Sequence, residues 1–190
     1  MINFHYREKL LNAIVYFINN TRYCGKTKLL KLLYFLDFIH FKQTGKPVTN
    51  LQYYTWPQGP VPKELFEQLN NDVMPEDLKE TIEVEKVQRE EYEFYRFMAK
   101  KKFDSRYFSE REIKLLRYLS SIFKNTRAEE IVEATHLKNL PWEKVKRERG
   151  MFQKIDYLLA IDDSGDSLPL DVAKERCKER EEMQKIFSSD

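Results

Sequence analysis

Apolar residues between positions 6 and 20 recur at the spacing of one helix face. Leu10, Leu11, Ile14, Val15 and Ile18 fall three or four residues apart. A second helix is predicted over 26–44, stopped by Gly45 and then Pro47. Its apolar positions are not a stripe. Leu29, Leu30, Leu32, Leu33, Tyr34, Phe35, Leu36, Phe38, Ile39 and Phe41 cover nearly the whole circumference. A helix that is apolar all round is normally buried on all sides. This segment is therefore expected to be the axis around which the rest packs.

The period then changes. Leu51 to Trp56 is short, aromatic and bounded by turn residues, which predicts a strand. Pro57, Gly59, Pro60 and Pro62 predict a rigid turn, with Pro62 opening a helix that runs to about Leu69. Over 80–102, "TIEVEKVQ" and "YEFYRFMAK" alternate apolar with polar, as two strands of a hairpin do. A single charged helix fits only slightly less well. Helical signals return at Ser109-x-x-Glu112, a capping box ahead of Ile113, Leu116, Leu119 and Phe123. A second box, Thr126-x-x-Glu129, precedes Ile131 and Val132. Pro141 is placed to start a short helix that Gly150 ends. "IDDSGDSLP" reads as a linker, and 169–187 as a charged helix with few apolar anchors. The expected fold class is α+β, predominantly helical, with one short strand and one hairpin.

Composition narrows the function. Basic and acidic residues nearly balance, 33 against 31, so the net charge of +2 points to neither a polyanion nor a membrane surface. Cys24 and Cys177 lie too far apart in sequence for a CxxC or Cys/His cluster, and reduced thiols are expected. The N-terminus lacks the pattern of a secretory signal. The most apolar run, Leu29 to Phe41, is about half a membrane span and is interrupted by Lys31 and Asp37. The expectation is a cytoplasmic chain that does not enter the bilayer.

Candidate chemistry is sparse. Gly25-Lys26-Thr27 matches the end of a phosphate-binding loop. Asn20 stands where its first glycine belongs, and a helical stripe precedes it instead of a strand. His5, His40 and His136 have no metal-ligand spacing to one another or to a cysteine. Cys24 is flanked by Arg22, Lys26 and Lys28, a setting that lowers a thiol pKa, but no catalytic partner accompanies it. Asp37, inside the apolar helix, needs hydrogen-bond or ionic partners if buried. The basic run 144–150 is interleaved with Glu148 and preceded by Glu143, as in a solvated helix face. No catalytic residue, cofactor or metal is assigned.

Three stretches carry a resemblance. "KTKLLKLLYFLDFIHFKQTGKPV", "LQYYTWPQGPVPKELFEQL" and "AEEIVEATHLKNLPWEKV" occur in this order. Together they resemble the opening helix, the aromatic-W-GPV turn and the closing TH-x-x-x-PW element of the Panacea, or SocA-like antitoxin, domain. The resemblance covers roughly 8–150, with a less typical insert at 72–108; 151–190 would be linker and charged C-terminal helix. It implies a compact, mostly helical, non-enzymatic antitoxin scaffold of prophage and toxin–antitoxin systems. Such a scaffold binds and neutralises a partner toxin. One branch of the family acts as a proteolytic adaptor, and a winged-helix-like DNA-binding regulator is the other alternative.

The motif positions are Lys31, Leu33, Tyr34, Asp37, Trp56, Gly59, Pro60, Val61, His136, Pro141 and Trp142, serving as scaffold or interface. Gly59 and Pro60 are expected to orient Trp56, hydrogen bonds to hold His136, and Trp142 to pack on the core. Tyr92, Tyr95 and Phe97 in the hairpin are candidate contact aromatics for a toxin, since interfaces favour such residues.

Overall fold

The computed structural model describes residues 5–70, 73–88 and 93–187. Helix α1 spans Tyr6–Asn20 and α2 spans Lys26–Thr44, as the periodicity predicts. Gly45 adopts φ 70°, and its N–H reaches Phe41 O at 2.7 Å, the left-handed stop that glycine makes without strain. The all-round apolar surface of α2 is explained by two cores that share it. Leu29, Leu30, Leu32, Leu33 and Leu36 join Leu10, Ile14 and Phe17 of α1. Tyr34 and Phe38 belong to a second cluster with Tyr53, Trp142, Val145 and Ile155.

The proline-rich segment is more extended than expected. Strand β1, Tyr53–Trp56, turns at Pro57 and Gln58 and pairs antiparallel with β2, Gly59–Pro62, with Trp56 opposite Gly59. The rigid turn is thus two residues long, and the prolines beyond it lie in a strand. Helix α3, Lys63–Gln68, follows directly. Helix α4, Glu76–Thr81, is one short turn element that no sequence pattern announced.

The ambiguous region is a hairpin. Strand β3, Ile82–Gln88, pairs antiparallel with β4, Glu93–Ala99. Ile82, Val84 and Phe97 share one face and join the α1 core. Glu85 and Arg96 pair on the opposite face at 3.5 Å. A helix would scatter these side chains around its axis; period two sorts them.

Four more helices complete the chain: α5 (Glu110–Ile122), α6 (Ala128–Thr135), α7 (Pro141–Arg149) and α8 (Leu170–Phe187). Between α7 and α8 the chain returns to the core. β5, Lys154–Ile155, pairs with β1 to give the order β2-β1-β5, and a 3-10 turn follows at Tyr157–Ala160. A two-residue strand carries too little pattern to be foreseen. Among the described residues no helix is long and apolar enough to cross a membrane.

The two predicted helix caps fared differently. At α5 the Ser109 box forms: Glu112 N–H donates to Ser109 Oγ at 3.3 Å, and Ser109 N–H to Glu112 Oε2 at 2.7 Å. At α6 the box is shifted by one residue. Arg127 is the N-cap, and its N–H donates to Glu130 Oε2 at 2.6 Å. Thr126 stays outside the helix, its carbonyl held by Lys28 Nζ at 2.7 Å.

Glu112 carries more than its cap. Its other oxygen accepts from Lys9 Nζ of α1 at 2.6 Å, and its side chain is only 4% exposed. Removing it leaves an N-cap amide and a half-buried ammonium unpaired. Glu112→Ala should therefore cost about 2–4 kcal/mol of stability in urea denaturation, and Glu112→Gln distinctly less, because the amide oxygen still caps Ser109.

Candidate functional site

The motif residues meet at the middle of α2. Lys31 is 1% exposed and donates to Pro60 O of β2 at 2.8 Å. Burial pushes its amine down to about 7. Gly59 beside it has φ +88°, and a Cβ there would lie 2.6 Å from Thr135 Oγ1 and 3.3 Å from His136 Nε2. Both conformation and space therefore demand glycine. His136 closes α6 and stacks on Trp142 of α7, centroids 3.9 Å apart and rings 14° from parallel. Trp142 Nε1–H donates to Trp56 O at 3.2 Å.

This corrects one expectation. His136 Nε2 is buried without a hydrogen-bond partner among the described residues, so ring stacking holds the side chain in place. Burial lowers the pKa of this imidazole, and the charges of Lys146 and Lys31 lower it further.

Six residues further along α2, Asp37 is fully buried. It accepts from Thr49 N–H at 2.6 Å, Thr49 Oγ1–H at 2.5 Å and Tyr53 O–H at 2.9 Å. The Tyr157 hydroxyl donates to Leu51 O at 2.5 Å and lies 3.3 Å from Asp37 Oδ2. Burial raises the Asp37 carboxyl and the Thr49 and Tyr53 donors pull it back, leaving it above the ordinary range. The surrounding rings pack closely: Tyr34 and Tyr53 centroids are 5.5 Å apart, Phe38 and Tyr157 4.6 Å. Leu33, Tyr34, Val61 and Pro141 are likewise buried and Trp56 half-buried, so the motif seals a core.

The hairpin candidates separate. Tyr92 lies outside the described residues. Phe97 is 5% exposed and serves the α1 core, so its side chain is not offered to a partner. Tyr95 is 46% exposed. It lines a groove of about 670 Å³ together with Ile18, Tyr23, Cys24, Phe97 and Arg127. Tyr23 was not foreseen: it is 64% exposed, at φ 55°, with the Arg127 guanidinium 5.8 Å from its ring centre. A bulky residue in that backbone region has no sequence signal.

The thiol in this groove also differs from its expectation. Burial pushes Cys24 up to about 11, outweighing the attraction of Lys28. Lys28 turns its ammonium to the carbonyls of Arg22 and Thr126, both at 2.7 Å. Gly25 is the N-cap of α2, with a helix and not a strand before the loop. Among the described residues no group of three or more His, Cys, Asp or Glu side chains is placed to hold a metal ion.

Lys31 gives the cluster a pH signature. Its folded pKa near 7 lies below the ordinary 10.5, so the unfolded chain binds the extra proton between these values. Stability then rises with pH, by up to about 1.4 kcal/mol per pH unit, and the burial penalty is complete below the lower value. The stability of wild type relative to Lys31→Met should therefore rise from about pH 7 to about pH 9 in urea titrations, because the methionine variant carries no such penalty. An unchanged difference would mean that Lys31 titrates normally in the native state.

A family model described as Antitoxin SocA-like, Panacea domain, matches residues 29–143, from the first leucines of α2 to the start of α7. Comparison with curated proteins found no match, and comparison with solved structures found none either. The matched span is more than half of the chain and contains the whole Lys31, Gly59, His136 and Trp142 cluster. The chain therefore belongs to the SocA-like, Panacea-domain antitoxin family.

Proposed function

We propose that this protein is a non-enzymatic antitoxin-type interaction protein that binds and neutralises a partner toxin encoded beside it. The observation that carries the reading is the family match over 29–143. The geometry supports it in a particular way. The motif side chains are spent on each other: Lys31 on Pro60, Asp37 on Thr49 and Tyr53, His136 on Trp142. Groups buried and paired in this manner make a rigid frame and leave recognition to the surface around it.

The basic run of α7 is partly neutralised within its own helix. Arg147 lies 3.0 Å from Glu143 and 3.9 Å from Glu148. Lys144 donates to Leu159 O at 3.3 Å and Lys146 lies over the Trp142 ring, so three of the four basic side chains of this helix are engaged within the fold.

The test is co-expression with the product of the adjacent open reading frame, scored by growth and by copurification. The expected outcome is a toxic neighbour whose toxicity is relieved and which elutes in complex with this protein. A harmless neighbour that does not copurify, together with strongly salt-dependent DNA binding, would replace the antitoxin reading with a regulatory one.

A further inference from the structure

The outer side of α5 carries charge that the described residues leave unanswered. Leu115, Leu116 and Leu119 turn the inner side of this helix into the core. Arg111, Lys114 and Arg117 stand on the outside, all exposed, with Tyr118 and Ile122 exposed beside them. Among the described residues none of these three cations makes a hydrogen bond or an ion pair.

The row runs on past the helix. Arg22 N–H donates to Lys124 O at 2.7 Å, which brings the backbones of two more exposed basic residues together just beyond Ile122. Their side chains are likewise unpaired among the described residues.

Acids do not offset this row. From Glu110 to Lys124 the chain has two, Glu110 and Glu112. Glu112 is buried and spent on Lys9 and on the Ser109 cap. Of the elements packed on α5, α2 brings Lys42, which Asp162 and Asp166 of the linker hold at 3.0 and 3.2 Å. Asp166, which reaches the groove beside Arg111 and Lys114, is thus already drawn to a cation. Arg111, Lys114, Arg117, Lys124 and Arg22 outnumber the free acid of this stretch, Glu110, five to one.

The make-up of the face selects its ligand. Protein interfaces place apolar side chains at their centre and are depleted in lysine. Here only Tyr118 and Ile122 stand among five cations. A polyanion answers such a row better. Arg111 and Ile122 lie about 17 Å apart along the helix axis. Duplex DNA presents one charge about every 1.7 Å of its own axis, so each cation of the row finds a phosphate. Asn and Gln, the usual readers of adenine edges, are absent from α5. Contacts of this kind fix a protein on the backbone and carry no sequence information.

We propose that the outer side of α5 binds the phosphate backbone of duplex DNA without reading its sequence. This adds a second ligand to the antitoxin reading and does not depend on it. Arg111, Lys114 and Arg117 form the centre of the contact, and Lys124 and Arg22 extend it along the strand.

The test is fluorescence anisotropy of a short labelled duplex of mixed sequence with the full chain, no toxin present, between about 50 and 200 mM salt. Log affinity should fall with log salt at a slope of about −4. The triple variant Arg111→Gln, Lys114→Gln, Arg117→Gln should reduce that slope by about 3 and weaken binding at least tenfold at the lowest salt. A second triple, Lys154→Gln, Lys174→Gln, Lys178→Gln, removes the same net charge from exposed positions elsewhere and should leave the slope unchanged. All six positions are exposed, so both triples should melt with the wild type.

Wild-type protein that does not bind the duplex at the lowest salt overturns the proposal and leaves the antitoxin reading standing. So does an α5 triple that keeps the wild-type slope, or a second triple that loses as much. Polyglutamate that displaces the labelled duplex as well as unlabelled DNA does assigns the row to an acidic polypeptide, and also overturns it.

Discussion

Burying α2 on every side creates a single constraint that organises the rest of the molecule: its polar side chains must find partners inside the protein. An unmet buried amine or carboxylate costs several kcal/mol, so each has to be answered by some other part of the chain. Lys28 is answered by the carbonyls of Arg22 and Thr126, which fixes two interhelical loops. Lys31 is answered by Pro60, which fixes the β1–β2 hairpin. Asp37 is answered by Thr49 and Tyr53, and His40 by Lys46 O at 2.6 Å. Beyond the buried region Lys42 reaches Asp162 at 3.0 Å and Asp166 at 3.2 Å. The helix is apolar enough to be central and polar at the few points where a loop must be pinned.

This arrangement explains why a family motif that looks like a functional signature yields no site open to a ligand. Gly59 is a spacer that lets Thr135 and His136 approach the hairpin, and Trp142 is a lid over the second core that ties back to Trp56. A frame of that kind tolerates change on its outside. The hairpin meets the frame through Ile82, Val84 and Phe97 on one face, while its other face carries the Glu85–Arg96 pair. Division of labour between a sealed centre and an adjustable margin suits a protein whose relatives share a fold and meet a partner.

Much of this was legible in the sequence wherever the signal is local. The helices at 6–20 and 26–44, the hairpin, the Ser109 cap and the Pro141 start all rest on spacing within a few residues. What escaped depends on tertiary context. α4 and β5 are too short to show a period. The cap of α6 moved from Thr126 to Arg127 while Lys28, almost a hundred residues earlier in the chain, held the Thr126 carbonyl. Cys24 has basic neighbours in sequence, yet burial dominates its thiol in space. Two of the candidate contact aromatics, Tyr95 and Phe97, lie two residues apart on one strand. Only their position along the hairpin decides that one reaches the core and the other the surface.

The closing of the second core has a consequence for the order in which the chain assembles. Tyr157 meets Asp37 and Leu51 across more than a hundred residues, and Ile155 pairs with Tyr53 over a similar distance. Contacts of such sequence separation form slowly, because the intervening chain must lose its freedom first. On the ribosome, α2 therefore emerges long before the strand and tyrosine that cover one of its sides. Until they arrive Tyr34, Phe38 and Asp37 lack their full cover, so the nascent chain exposes apolar rings and a carboxylate that the finished fold encloses.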